Sequence, residues 1–341
     1  MKGAVSALGS WAGHEAAARV VDGRLEELLL DHGPSGPGAI LRGRMGRPVK
    51  GMGGAFVDLP EGRSGFLKQT QGLRPGQGVV VQVAGAAEPG KALPLGVRPL
   101  LKGRLVILTP GAPGLNAARG IRDADARAAL LATAETALEG APSDMGAILR
   151  SAAETAALED LAAEIAALRH LAEGLTPKGP PALLHPAPGP HATAQRDWPE
   201  ADLRADGPGA FADHGIAELI DSLLTAVVPL DRGAFMAVEP TRALVAVDVN
   251  TGADGTPAAG LKANLAAARD LPRQLRLRGL GGQIVVDFAP MPKRDRGTLE
   301  QALRAAFRRE DAGTVLAGWT PLGNFELQRR RDRRPLRSFL P

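Results

Sequence analysis

The alternation of helical and strand patterns after Gly215 constrains the fold most. Apolar residues at helical spacing predict helices, and short apolar runs between them predict strands. The predicted helices span 216–226, 261–278 and 298–309, and the predicted strands span 234–238, 244–249, 283–288 and 314–322. The almost wholly apolar run at 283–288 is typical of a strand buried on both faces. Together these segments predict an α/β unit with a central sheet.

The preceding part of the chain is predicted to hold short strands and then helices. Residues 3–31 favour two strands joined at the turn-forming pair Asp22-Gly23. Between 40 and 108, short strands at regular spacing favour a small barrel; the segments are ILRGRM, GGAFVDL, SGFLK, VVVQVAG and GRLVILTP. Residues 124–138 and 152–175 predict helices, 147–149 predicts a buried strand, and the Pro-rich segment 176–194 is interpreted as a connection.

Two of the predicted strands end in aspartate, at Asp248 in LVAVDVN and at Asp287 in IVVDF. Because catalytic groups of open α/β sheets gather at the carboxyl ends of strands, these carboxylates are candidate ligands for one Mg²⁺ ion. Asn250 points to the same side of an extended strand as Asp248 and could orient it. The alternative is that each Asp forms a turn or caps a helix.

Other catalytic chemistries find little support in the sequence. No His lies near either strand, G-x-S-x-G is absent, and so is the phosphate-binding loop G-x-x-x-x-G-K-[ST]. The chain has no Cys, which excludes disulfides, a thiolate nucleophile and Cys-ligated metal sites. That zero fits a reducing cytosol, no apolar run is long enough to span a membrane, and charges interrupt the N-terminal segment. We therefore expect a cytoplasmic protein.

Positive charge is concentrated at the end of the chain. The formal net charge is +4, but the residues from Arg269 onward contain 16 Lys and Arg against 8 Asp and Glu. A basic region of this kind attracts a polyanion, with nucleic acid as the first candidate. The alternative is a solvated helix face followed by a charged tail.

These motifs resemble the ribonuclease E/G endoribonucleases over nearly the whole chain. The segments that carry the resemblance are ALVAVDVNTG, KANLAAARDLPRQLRLRGLGGQIVVDF, LGNFELQRRRDRRPL, GGAFVDLPEGRSGFL and SDMGAILRSA. The resemblance implies a multidomain α/β fold, in which a split RNase H-like domain (1–36 and 180–222) contains an inserted OB-type barrel (37–112) and a 5′-sensor (113–179). A DNase I-like catalytic domain follows at 223–341.

The resemblance also implies a role for each catalytic candidate. Asp248 and Asp287 would be the Mg²⁺ ligands, and Asn250 would hold Asp248 and help to place the scissile phosphate. The expected activity is magnesium-dependent cleavage of single-stranded RNA by a metal-activated water, which leaves 5′-monophosphate and 3′-hydroxyl ends, in RNA processing or decay. The alternatives are a catalytically weak or inactive RNA-binding protein of the same family and, third, a phosphodiesterase that acts on DNA.

Further residues match the family's RNA contacts. Phe56 and Phe66 would stack on bases, with burial in the barrel core as the alternative, and Lys91 lies near a basic contact position. Arg150 and Ser151 match the pair that binds a 5′-monophosphate, since a guanidinium and a hydroxyl both donate to phosphate. The alternative is an exposed Arg that begins a helix with Ser as its cap.

The sequence also departs from the family pattern. The Cys-Pro-x-Cys zinc link is missing, so no zinc is expected and any homo-oligomer would form without it. We expect a short form without the family's small C-terminal domain, and ADGTPAAG stands in place of the acidic-Thr motif before the helix at 261. The Ser/Arg/Arg signature is reduced to Ala118-Arg119-Gly120, and the segment after the sensor is short.

Overall fold

The computed structural model describes residues 2–88, 90–310 and 313–340. The chain divides into two compact units, and the first combines residues up to Asp31 with those from Glu200 onward. The second unit spans His32–Pro199. No helix within the described residues is both long enough and apolar enough to cross a membrane.

The first unit begins with an antiparallel meander. Its strands are β1 (Ala4–Trp11), β2 (His14–Val21) and β3 (Arg24–Leu30), where the sequence predicted two strands. The extra turn was missed because Ala12 adopts φ 49° there, a conformation that a non-glycine residue seldom takes. The predicted Asp22-Gly23 turn is present, with φ 50° and 77°.

The second unit opens with a closed barrel. Its strands are β4 (Ile40–Val49), β5 (Gly54–Asp58), β6 (Ser64–Leu67), β7 (Gly78–Val83) and β8 (Leu93–Gly96). They are hydrogen-bonded in the order β4-β5-β6-β8-β7, and β7 pairs with β4 to close the ring. Its core contains Leu41, Val57, Leu67 and Val81. The predicted barrel is therefore confirmed.

One strand predicted for the barrel belongs elsewhere. The segment 103–110 forms β10 (Val106–Pro110), which follows β9 (Leu101–Lys102) and lies in a separate sheet. The strand that completes the barrel is β8, whose sequence LPLG is short and contains a proline. It was missed because Pro normally weakens a strand pattern.

The rest of the second unit is a small α/β layer and an addition to the barrel. The separate sheet has the order β11-β12-β10-β9, with β11 (Gly114–Ala117) and β12 (Met145–Leu149), and it packs against α1 (Ala124–Ala137) and α2 (Leu158–Glu173). The segment 176–194, predicted as a connection, contains β13 (Ala182–His185), which pairs with β4, and the start of α3 (Pro190–Asp197). Proline at the first turn of α3 is compatible with a helix because that N–H needs no intrahelical partner.

The chain then returns to the first unit. There β14 (Leu203–Asp206) pairs in parallel with β1, and two short helices follow, α4 (Ala210–Asp213) and α5 (Ile216–Ser222). The remaining strands form the sheet order β15-β16-β17-β18-β20-β19. Their bounds, with the helices between them, are β15 (Val227–Pro229), β16 (Phe235–Pro240), β17 (Val245–Asn250), α6 (Pro257–Leu277), β18 (Gly282–Asp287), α7 (Arg296–Phe307), β19 (Thr314–Trp319) and β20 (Phe325–Arg329).

Both long helices pack on the same face of this sheet. Val247 and Val286 lie in one buried cluster with Leu271 of α6 and Leu299 of α7. Side chains on the other face of β17 and β18 are exposed or half-buried. The prediction that 283–288 is buried on both faces is therefore wrong, because this sheet has a helix layer on one side and solvent on the other.

Candidate active site

Asp248 and Asp287 lie side by side on the exposed face of the sheet. Strands β17 and β18 are parallel, and their register places Asp248 opposite Asp287. Neighbouring strands are about 4.8 Å apart, so in-register side chains on one face are close neighbours. Both aspartates are exposed, while Val247 and Val286 beside them point into the core. In each strand the valine side chain thus packs in the core on one face of the sheet, and the next residue, aspartate, lies on the exposed face.

Asn250 lies on the same face as Asp248 and contacts it directly. The Asn250 side chain donates from Nδ2 to Asp248 Oδ2 at 2.6 Å. Residues two apart on a strand point to the same side, which explains the contact. The hydrogen bond holds the Asp248 carboxylate in one orientation and leaves its other oxygen available.

A buried asparagine fixes the backbone immediately after Asp287. Asn264 of α6 is fully buried, donates from Nδ2 to the Ala289 carbonyl at 2.9 Å, and accepts from the Ala289 N–H at 2.9 Å. These two bonds replace the strand ladder that ends at Asp287 and tie the next turn to α6. Asn264 therefore positions the end of the strand that carries the carboxylate.

The two carboxylates are a suitable donor set for a hard cation. Among the described residues, neither forms an ion pair with Lys, Arg or His. The described part of the chain also has no group of three or more His, Cys, Asp and Glu arranged to enclose a metal. Mg²⁺ fits such a pair because it is usually held by one or two carboxylates while water and substrate phosphate complete its shell.

Basic residues follow the carboxylate strand. Lys293 and Arg294 are exposed in a 3₁₀ turn between β18 and α7. The guanidinium of Arg296 lies 4.2 Å from the centre of the Trp319 ring, a cation–π contact that fixes the start of α7. This positive charge is on the chain segment just after Asp287, where it favours a phosphate-bearing substrate.

Phe56 and Phe66 form an aromatic pair outside the barrel core. They are directly opposite each other on β5 and β6, with ring centroids 5.4 Å apart and planes inclined by 68°. Phe56 is 38% exposed, whereas its neighbours Ala55 and Val57 are fully buried. A Cβ at Gly54 would fall 2.7 Å from Phe66 Cζ, so glycine there makes room for the ring. Phe66 is half-buried, and the barrel core cluster contains neither ring, so burial in the barrel core is excluded for both.

Lys91 is placed in the loop between β7 and β8. Its Nζ forms an ion pair with Glu88 at 2.9 Å, and its side chain is 65% exposed. An exposed pair of this kind contributes little to stability and breaks readily, so the ammonium can turn toward an anion.

Arg150 and Ser151 follow β12 and face different neighbours. Arg150 donates from Nη1 to the Gly103 carbonyl at 2.6 Å, and its Nη2 forms an ion pair with Asp197 at 2.8 Å. Ser151 is exposed beside Gly120, where a Cβ would lie 2.5 Å from Ser151 Oγ.

The alternative account of this pair, an exposed Arg with a capping Ser, is wrong. Arg150 is half-buried with a 23% exposed side chain, and α2 begins only at Leu158. Residues Ser151–Thr155 form a 3₁₀ turn instead, and no side chain caps it.

Comparison with known proteins identifies the family. The model of the ribonuclease E/G family matches residues 100–205 and 200–332, which together exceed half of the chain. This chain belongs to the ribonuclease E/G family. Ribonuclease G of Salmonella typhimurium (strain SL1344) is 27% identical over 369 aligned positions, which cover 89% of this chain and 74% of that protein.

Relatives from other lineages carry related names. Ribonuclease E of Nostoc sp. is 29% identical over 379 positions, covering 94% of this chain and 55% of that protein. A chloroplastic ribonuclease E/G-like protein of Arabidopsis thaliana is 34% identical over 139 positions, or 39% of this chain and 14% of that protein. The predicted ribonuclease E/G membership is confirmed, and the names agree with the prediction of an enzyme of the ribonuclease class.

Two residues of this ribonuclease E/G chain were missed by the sequence reasoning. Asn264 stands among apolar residues in KANLAAARDL, and a polar residue on the buried side of a helix was the available signal. Asp197, the ion-pair partner of Arg150, carried no such signal because its partner lies in a distant part of the sequence.

Proposed function

We propose that this protein is a magnesium-dependent endoribonuclease that cleaves single-stranded RNA. The observation that carries the proposal is the in-register pair Asp248 and Asp287, with Asn250 hydrogen-bonded to Asp248, on an exposed sheet face. Membership in the ribonuclease E/G family supports RNA as the substrate. RNA processing or decay in the cytoplasm, and the division into split RNase H-like, barrel, sensor and DNase I-like parts, belong to the same proposal.

Each residue of the site has a distinct part in the proposed reaction. Asp248 and Asp287 hold the cation, which when bound neutralises charge on the phosphoryl oxygens and lowers the pKa of a water. Asn250 keeps the Asp248 carboxylate in one orientation, and Asn264 keeps the end of the Asp287 strand fixed. The exposed face gives a flexible single strand direct access to the carboxylates.

The products follow from the bond that breaks. The oxygen of water adds to phosphorus as the water gives up one proton. The bond from phosphorus to the 3′ oxygen breaks, and the 3′ oxygen takes up one proton in return. The upstream product therefore ends in a 3′-hydroxyl, and the downstream product begins with a 5′-monophosphate.

The remaining candidates are RNA contacts of the second unit in this proposal. Phe56 and Phe66 offer ring faces outside the barrel for stacking on bases. Lys91 contacts the phosphate backbone, and Arg150 with Ser151 receives a 5′-monophosphate.

The test is a cleavage assay on 5′-labelled single-stranded RNA with Mg²⁺. Wild type is expected to cut, and Asp248→Asn is expected to lose at least about 100-fold in rate, typical for removal of a group that stabilises the transition state. Glu239→Gln is the matched control, because Glu239 is an exposed carboxylate on the adjacent strand β16. RNA that is bound but left intact by wild type would instead support the inactive RNA-binding alternative, and preferential cutting of DNA would support the third.

A further inference from the structure

The guanidinium of Arg150 is occupied by groups of the protein itself. Nη1 donates to the Gly103 carbonyl at 2.6 Å, and Nη2 pairs with Asp197 Oδ1 at 2.8 Å. Nη1 also donates to the Arg196 carbonyl at 3.5 Å, so both N–H groups of Nη1 and one N–H group of Nη2 are engaged. A two-pronged contact with phosphate through Nη1 and Nη2 therefore competes with these bonds.

Asp197 is held as a bound anion would be. It is the last residue of α3, and the neighbouring Arg196 contacts it with both prongs, Nε to Oδ1 at 3.0 Å and Nη2 to Oδ2 at 2.7 Å. Burial alone would raise the pKa of Asp197, but the hydrogen bonds and charges of Arg196 and Arg150 outweigh it and hold the pKa below its ordinary value. The carboxylate is therefore charged and lies between two guanidinium groups.

A terminal phosphate has the same recognition chemistry with more charge. A phosphate monoester carries about −1.5 to −2 charges and three acceptor oxygens, against one charge and two oxygens for a carboxylate. It would take the contacts that Asp197 now makes, and two guanidinium groups would be available to it. Nearby Asp197 would also repel it as long as the carboxylate stayed in place.

We propose that Asp197 masks Arg150 in the RNA-free protein and thereby sets how strongly the enzyme prefers RNA with a 5′-monophosphate. The inference rests on the proposed role of Arg150 in receiving the 5′ end. Asp197 acts through Arg150 and is a positioning residue, not a catalytic one. Because a phosphate must displace the Asp197 carboxylate from Arg150, the protein binds a 5′-monophosphate more weakly than it would with a free Arg150 guanidinium.

The alternative role for Asp197, to support phosphate binding by Arg150, predicts the opposite effect of its removal. If Asp197 served to hold Arg150 ready for phosphate, its removal would weaken binding of a 5′-monophosphate. Competition is favoured because both N–H groups of Nη1 are in use and because the Asp197 carboxylate already accepts from Nη2.

The test measures binding of two short single-stranded RNAs that differ only in a 5′-monophosphate or a 5′-hydroxyl. Affinities are measured by fluorescence polarisation in EDTA, so that no RNA is cut and the result is independent of cleavage. We take the Arg150 guanidinium to be free of Asp197 about one tenth of the time, which weakens its binding of phosphate by about tenfold. Asp197→Asn is then expected to raise the monophosphate preference by about tenfold. Arg150→Ala in the Asp197→Asn background should abolish the gain.

The control is Glu173→Gln, which removes an exposed carboxylate beside Arg169 in the same unit and changes net charge equally. It should leave the preference at the wild-type value. Thermal unfolding verifies that Asp197→Asn is folded, and Asp197→Ser serves as the second variant. An unchanged or reduced preference in the folded variant overturns the proposal. Failure of wild type to cut RNA with Mg²⁺ would count against the proposed function alone.

Discussion

The aromatic pair on the barrel provides a quantitative prediction about RNA binding. Phe56 and Phe66 present their rings outside the barrel core, where Phe56 is 38% exposed. Stacking on a base contributes about 1–3 kcal/mol, so Phe56→Ala should weaken binding of single-stranded RNA by about 5- to 140-fold. The edge-to-face contact between the rings contributes about 0.5–1.5 kcal/mol, so the fold should survive the truncation.

The assay is fluorescence polarisation with labelled single-stranded RNA in EDTA, repeated at several salt concentrations. Phe56→Leu keeps an apolar side chain without a ring face and should also lose affinity, whereas Met52→Ala, which trims another exposed apolar residue near β5, should not. The slope of log affinity against log salt should stay the same, because stacking releases no counterions. Wild-type affinity in Phe56→Leu would refute the stacking role.

Two further predictions concern polar residues of α6, Asn264 and Asp270. Asn264→Ala leaves the buried N–H and C=O of Ala289 without partners, so the free energy of unfolding in urea should fall by about 2–4 kcal/mol and cleavage should slow. The control is Gln283→Ala, which changes an exposed residue of β18 and should affect neither stability nor cleavage. Burial would raise the pKa of Asp270, but Arg273, Arg24 and Gln274 hold the pKa below its ordinary value. The stability that the charged Asp270 carboxylate gives to the fold is therefore present above about pH 3.9 and is lost as the pH falls further. Asp270→Asn should cost about 3 kcal/mol at neutral pH and flatten the acid limb of the stability curve, and an unchanged curve would contradict this account.

The candidate carboxylate pair could be predicted from the sequence because the two strands that carry it follow each other closely along the chain. Asp248 lies two residues before the end of β17, Asp287 ends β18, and one helix connects the two strands. A strand–helix–strand connection of this kind brings parallel strands together with their carboxyl ends on one edge. Asn250 followed from the two-residue repeat of a strand.

Features that depend on distant contacts were not accessible in this way. The apolar run at 283–288 could not reveal that helices cover one face of the sheet, because the residue types of a strand do not show whether helices pack on one face or on both. The barrel strand Leu93–Gly96 was lost because its length and its proline both argue against a strand. The contact of Arg150 with Asp197 depends on how α3 packs against the unit, which no local pattern encodes.

The central claim is that Asp248 and Asp287 together hold the divalent cation required for RNA cleavage. The most direct measurement is the initial cleavage rate as a function of Mg²⁺ concentration for wild type, Asp287→Asn and Glu239→Gln. The account predicts that wild type and Glu239→Gln share one saturation curve, whereas Asp287→Asn needs much more Mg²⁺ or shows no activity. A wild-type curve for Asp287→Asn, or cleavage by wild type that persists in EDTA, would contradict it.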